Sequence, residues 1–211
     1  SMGLLQKTPE GIRLSVDGLA LASARDDARG DLLHFLLFTG WSAQRPTEFL
    51  QSWSYRLVCS QYWDAAPLDL TSAYLDRQVG EVISLAQSAL SEMAVGEFQE
   101  ISFSRKSLRG AHNWLEATPP AALTGAQFTR RAFCPPELLL LAFGHVVGQE
   151  ENAVGVDILL TPQKRDAICR ICLLEPNAFD RTLDWALNAF KGLISPGTSA
   201  GFYGRFIRLQ R

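Results

Sequence analysis

An apolar stripe with helical spacing in the middle of the chain most constrains the fold. Between Leu70 and Met93, apolar residues recur at steps of three and four. They are Leu70, Tyr74, Val82, Leu85, Ala86, Ala89 and Met93. This spacing places them on one face of an α-helix, with Asp69 or Thr71 as the N-terminal cap and Gly96 after the last turn. The segment therefore predicts a long helix that buries one face.

A second helix is predicted near the C-terminus. Pro176-Asn177 begins it, and Ser195-Pro196-Gly197 ends it. The residues on its apolar face are Phe179, Leu183, Ala186, Leu187, Phe190, Leu193 and Ile194. These two elements are the principal helices that the sequence predicts.

Most of the remaining apolar segments predict strands. Residues alternate in polarity before and after Asp17-Gly18, which predicts a β-hairpin closed by a type I′ turn. Further strands are predicted at Leu32–Thr39, Ser52–Gln61, Phe98–Ser104, Asn113–Ala117, Gln127–Phe133, Leu138–Val147, Val154–Leu160 and Ala167–Leu174. A helix that opens at Pro46 is the alternative for the second of these. The predicted fold class is α+β, a mainly antiparallel sheet with two principal helices packed on it.

Length and composition indicate one domain. The chain has 211 residues, of which 47% are hydrophobic, enough for a buried core. Because Ser1-Met2-Gly3 resembles a cloning remnant, we expect a single domain over 4–196, followed by an aromatic and basic tail over 197–211. No apolar stretch reaches the roughly 18 residues that a membrane span needs. We therefore expect a cytoplasmic protein without a membrane span.

Charge and motifs argue against several classes of function. The net charge of −2 gives no reason to expect a nucleic-acid partner, because such proteins cluster Lys and Arg. The pair Cys169 and Cys172 lacks the second pair that a structural zinc site needs. No phosphate-binding glycine motif or nucleophile elbow occurs. We therefore predict no catalytic residue, no metal and no cofactor. An enzyme that pairs Cys134 or Cys172 with a histidine remains an alternative.

Aromatic residues in the predicted strands suggest a binding surface. Trp41, Trp53, Trp63 and Trp114, with several Phe and Tyr residues, form an aromatic-rich set in the strand half of the chain. One interpretation is core packing. The other is an exposed apolar sheet face of the kind that binds proteins. The candidate contact residues are Phe38, Trp53, Tyr55, Leu57 and Phe103.

Several segments together resemble a known family. They are Tyr55-Arg56-Leu57-Val58-Cys59-Ser60, then Leu70-Thr71-Ser72-Ala73-Tyr74-Leu75-Asp76-Arg77-Gln78-Val79, then Phe98-Gln99-Glu100-Ile101 and Leu108-Arg109-Gly110. This order is similar to the Mog1/PsbP-like group, which includes DcrB-like bacterial proteins. The resemblance covers about half the chain, and it implies an antiparallel sheet with helices packed on it.

The resemblance also implies a function. Members are generally not enzymes, and the Eag-type chaperones of type VI secretion shield hydrophobic helices of an effector in an apolar groove. We therefore predict a bacterial chaperone or adaptor that binds a hydrophobic segment of an effector or toxin. This prediction also allows the chain to form a homodimer. An immunity-type toxin inhibitor is the alternative, and it would favour a charged contact face.

Overall fold

The computed structural model describes residues 4–9, 11–41, 50–92, 103–148, 155–197 and 204–210. The chain divides into two compact units, Ser1–Arg130 and Arg131–Arg211. Each is described by itself. Both units mix helices with short antiparallel strands, so the fold class is α+β.

The Ser1–Arg130 unit is mostly helical. Its helices are α1 (Val16–Ser23), α2 (Asp26–Thr39), α3 (Leu50–Ala65), α4 (Ser72–Glu92) and α5 (Arg105–Glu116). Its strands are β1 (Leu5–Thr8), β2 (Gly11–Leu14), β3 (Leu68–Asp69), β4 (Leu123–Thr124) and β5 (Gln127–Phe128). Strands β1 and β2 form an antiparallel hairpin, and β5 lies between β3 and β4 in an antiparallel sheet.

The predicted long helix is confirmed as α4. Thr71 caps it, since its hydroxyl accepts a hydrogen bond from the Tyr74 amide at 3.2 Å. Val82 and Ala86, one turn apart on the predicted apolar face, are both buried. Gly96, the expected residue after the last turn, lies outside the described residues.

The predicted hairpin at Asp17-Gly18 is wrong. That dipeptide lies in the first turn of α1, where the Ser15 hydroxyl accepts a hydrogen bond from the Gly18 amide at 3.1 Å. A β-carbon at Gly18 would lie 2.1 Å from the Leu4 carbonyl oxygen, so the close approach of these two backbone segments requires glycine. The hairpin lies earlier in the chain, and Gly11 begins its second strand with a φ of +131°.

Three predicted strands of this unit are helical. Leu32–Thr39 lies within α2, Ser52–Gln61 within α3 and Asn113–Ala117 largely within α5. A short apolar run fits a buried helix as well as a strand, so its pattern alone does not distinguish the two. Of Phe98–Ser104, only residues 103 and 104 are described, and they precede α5.

The Arg131–Arg211 unit combines three helices with a small sheet. The helices are α6 (Pro136–Val147), α7 (Pro162–Cys172) and α8 (Phe179–Ala189). A single 3-10 turn, Pro176–Ala178, leads into α8. The strands are β6 (Asp157–Leu159), β7 (Ile194–Pro196) and β8 (Phe206–Leu209), and β8 pairs antiparallel with both of the others. Thus part of the predicted tail is the middle strand of a sheet, with Ile207 fully buried.

Prolines and caps explain two wrong predictions in this unit. Leu138–Val147 and Ala167–Leu174, predicted as strands, belong largely to α6 and α7. Pro136 and Pro162 stand in the first turns of these helices, where the missing amide costs nothing. Thr161 also caps α7 through the Lys164 amide at 3.3 Å. The predicted C-terminal helix is confirmed as α8, but it ends at Ala189, so Phe190, Leu193 and Ile194 of the predicted apolar face lie beyond it.

The two remaining predicted strands are shorter than expected. Gln127–Phe133 contributes strand β5 alone, and Arg131 forms an isolated bridge with Leu174. Val154–Leu160 contains β6. A mainly antiparallel sheet carrying two helices is therefore not what the chain forms among its described residues.

Candidate functional site

Helices α3, α4 and α5 line a partly open cavity of about 350 Å³ in the Ser1–Arg130 unit. We call it the α3–α5 cavity. Its lining residues are Leu50, Gln51, Trp53, Ser54, Tyr55, Val58, Val82, Ala86, Phe103, Ser107, Gly110, Ala111 and Trp114. This volume lies in the range of small-ligand sites.

Helical spacing brings the lining residues together. Helix α3 contributes Gln51, Ser54, Tyr55 and Val58 at steps of three, one and three. Helix α5 repeats the same spacing with residues 107, 110, 111 and 114. Each set occupies one face of its helix. These two periodic segments thus supply eight of the thirteen lining residues.

The wall of the cavity is aromatic and uncharged. Tyr55 and Trp114 meet edge to face, with ring centroids 5.5 Å apart at an interplanar angle of 75°. None of the described lining residues is Asp, Glu, Lys, Arg or His. Gln51 and Ser107 are exposed and place polar groups where the cavity meets the surface. Such a lining suits an apolar, uncharged group.

A buried hydrogen bond fixes Tyr55. Its hydroxyl lies 2.7 Å from Nδ1 of His34 on α2, and both side chains are buried. The two rings also meet edge to face at 5.6 Å. Burial raises the pKa of the nearby Cys59 thiol, and a hydrogen bond with Tyr55 opposes this only in part. The thiol is therefore protonated at neutral pH and is no nucleophile.

A second tyrosine–histidine pair lies between α3 and α5. The Tyr62 hydroxyl is 2.8 Å from Nε2 of His112. Desolvation lowers the pKa of His112, and the charge of Glu116 opposes the shift. Burial raises the pKa of Tyr62. Both histidines of this unit thus bond to a tyrosine hydroxyl, an arrangement that holds helices together.

Three of the five predicted contact residues line the α3–α5 cavity. They are Trp53, Tyr55 and Phe103. Phe38 lies on α2 and packs against His34, with ring centroids 5.7 Å apart. Leu57 is half-buried on α3 and is absent from the lining. The aromatic residues meet on helices rather than on a sheet face.

The contributions of α5 and of part of α4 to the cavity were not predicted from the sequence. The apolar run at 113–117 predicts a strand for Trp114, although Ser107, Gly110, Ala111 and Trp114 have helical spacing. That spacing was the signal that could have found them. Val82 and Ala86 belong to the predicted stripe of α4, but the stripe alone does not show which neighbour it faces.

The cysteines of the Arg131–Arg211 unit are buried and free. Burial raises the pKa of Cys169 to about 12. The pKa of Cys172 is also raised by burial, and further by its hydrogen bond with Cys134. Raised values keep thiols protonated, which is the reverse of nucleophile activation. Among the described residues, no group of three or more His, Cys, Asp or Glu is arranged to hold a metal ion.

Comparison of the chain with protein-family models, with curated proteins and with solved structures finds no match. Within the described ranges, no helix is both long and apolar enough to cross a membrane.

Proposed function

We propose that the Ser1–Arg130 unit is a non-catalytic protein-binding module that holds an apolar segment of a partner in the α3–α5 cavity. One observation carries the proposal: an uncharged cavity of about 350 Å³ walled by Trp53, Tyr55, Phe103 and Trp114. Aromatic side chains in desolvated pockets contribute a large share of the energy at protein interfaces. A partner side chain such as Leu or Phe fits the cavity by size and chemistry.

In its finer form, the module is a chaperone or adaptor of the bacterial cytoplasm that shields a hydrophobic segment of an effector or toxin. The uncharged lining supports this role over that of an immunity-type inhibitor, which would present a charged contact face. A helical cavity takes the place of the apolar sheet groove that the family resemblance implied. Shielding requires only that apolar surface of the partner be removed from water. Each Å² of apolar surface buried in this way contributes about 25 cal/mol to the free energy of binding.

A matched pair of glycine substitutions tests the proposal. Gly110 lines the cavity, and a β-carbon there would meet no atom within 4 Å. Gly80 on α4 is equally open, but it is exposed and lies outside the lining. Gly110→Leu therefore fills the cavity from within, while Gly80→Leu makes the same chemical change elsewhere.

The tagged chain is purified from its native host, and a co-purifying partner is mapped with overlapping peptides. We expect the wild type and Gly80→Leu to bind the same apolar peptide equally well. Gly110→Leu should weaken that binding about tenfold or more, since a filled pocket loses one anchor contact of roughly 1.4 kcal/mol or more. Equal binding by all three proteins would refute the cavity as the site.

A further inference from the structure

Three of the four cysteines lie together in the Arg131–Arg211 unit. Cys134 lies just before α6, whereas Cys169 and Cys172 lie in the last turn of α7. All three side chains are buried and free. The thiols of Cys134 and Cys172 are joined by a hydrogen bond. Two sulfur atoms that share a hydrogen bond are already in contact, which is what a disulfide bond requires before it forms.

Backbone bonds hold together the two segments that carry these thiols. Arg131 forms a parallel bridge with Leu174. The Arg131 amide donates to the Leu173 carbonyl at 2.7 Å. The Glu175 amide donates to the Arg131 carbonyl at 2.9 Å, and the Arg131 guanidinium donates to the Cys172 carbonyl at 3.4 Å. The chain before α6 is therefore tied to the end of α7 by bonds that do not involve sulfur.

The place of the pair in the chain favours a cross-link between distant segments. Cys172 bonds to Cys134, although Cys169 is only one helical turn away. Cys59, the fourth cysteine, lies on α3 of the other unit. A bond between residues 134 and 172 closes a loop that contains α6, β6 and most of α7. Closing such a loop removes conformational freedom from the unfolded chain and so stabilises the folded unit.

We propose that Cys134 and Cys172 are a redox-sensitive pair that forms an intramolecular disulfide bond, with a low-molecular-weight disulfide such as oxidised glutathione as the oxidant. In the first step, the thiolate of one cysteine attacks a sulfur of the oxidant, which forms a mixed disulfide and releases one reduced thiol. In the second step, the other cysteine attacks the mixed disulfide and a second reduced thiol leaves. The two cysteines lose two electrons and two protons in total, and the oxidant takes up both.

Burial sets the rate of this exchange. The thiolate is the attacking species, and burial raises the pKa of Cys172 and keeps it protonated in the folded unit. Exchange therefore proceeds through a local opening of the chain before α6, or while the unit folds. The same burial shields the finished bond from reductants. In a reducing compartment, pairs of this kind form transient disulfides that respond to oxidants.

The test uses the full chain, fully reduced at the start. It is incubated in buffers that range from reduced to oxidised glutathione, at a urea concentration below the unfolding transition that permits local opening. Remaining thiols are alkylated under denaturing conditions, and mass spectrometry locates the bond. We expect a chain lighter by two hydrogen atoms, in which the peptides that contain Cys134 and Cys172 are linked.

The linked chain should also resist urea more than the reduced chain. For a loop of this length, we expect the equilibrium constant for unfolding to fall about 100- to 1,000-fold. Cys134→Ala and Cys172→Ala should each abolish the link. Cys169→Ala in the same unit and Cys59→Ala in the other unit are the matched controls, since they remove buried thiols outside the pair. Both should leave the link intact, and circular dichroism checks that each variant is folded.

Three results would overturn the proposal, and the first two need only the wild-type chain. One is that no hydrogen is lost in the most oxidising buffer. Another is a link that joins Cys59 or Cys169 in place of the proposed pair. The third is a linked chain that unfolds at lower urea than the reduced chain, which would show that the native positions do not suit a disulfide bond.

Discussion

Replacing Gly110 by leucine should stabilise the protein, and by more than the same change at Gly80. Both glycines lie inside helices and both have open space beside the α-carbon. Removing a glycine from a helix interior contributes about 0.8–1 kcal/mol in either case. Only the side chain at position 110 enters the α3–α5 cavity.

The size of the difference follows from the cavity. Burying a leucine side chain contributes about 1.5–3 kcal/mol, from which about 0.5–1 kcal/mol of lost rotamer freedom is subtracted. The cavity, at about 350 Å³, has room for it. We therefore expect Gly110→Leu to raise the free energy of unfolding by roughly 2–3 kcal/mol and Gly80→Leu by about 1 kcal/mol or less.

Urea unfolding followed by tryptophan fluorescence measures both values. Four of the five tryptophans lie in the Ser1–Arg130 unit, so the signal follows the unit that contains the cavity. A higher midpoint at an unchanged slope shows a change in stability alone. If Gly110→Leu gained no more than Gly80→Leu, the space beside Gly110 would not be an apolar cavity, and the proposed binding site would fall with it.

Three further predictions concern buried groups. Tyr55→Phe should lower the free energy of unfolding by about 1–3 kcal/mol, measured by urea titration, because buried His34 loses a hydrogen bond; an unchanged midpoint would contradict this. Since desolvation lowers the pKa of folded His112, the unfolded chain takes up a proton first as pH falls below about 6.5, and stability is lost from there downward. His112→Gln should therefore flatten the decline in melting temperature between about pH 7.5 and 5.5, whereas a parallel decline would refute the assignment. The four buried thiols should react with a disulfide reagent only after urea is added, and rapid reaction of any thiol in the native chain would show that it is accessible.

Long periodic segments could be predicted from this sequence, and short apolar runs could not. Helices α4 and α8 carry apolar residues over several turns, a signal that no strand produces. Leu138–Val147 is apolar almost throughout, so its pattern has neither period, and only Pro135-Pro136 marked a helix start. In α1, the cap formed by Ser15 competed with the turn preference of Asp17-Gly18 and prevailed.

The candidate site was predicted only in part. Trp53, Tyr55 and Phe103 were predicted as contact residues from their aromatic character, which does not depend on the secondary structure. Their predicted place on a sheet face is wrong, because it depended on reading the alternation within α3 as a strand. Trp114 and Ala111 reach the cavity only through the helical spacing of α5, and Leu57 points elsewhere for the same geometric reason.

The hydrogen bond between Tyr55 and His34 has a consequence for how this protein can evolve. The ring of Tyr55 forms part of the cavity wall, while its hydroxyl holds a histidine on another helix. Replacement of Tyr55 by phenylalanine would keep the ring in the wall and remove its hydrogen bond to His34, and a smaller residue would remove both. Positions 34 and 55 should therefore change together among related sequences, with an apolar residue at 34 wherever 55 is phenylalanine.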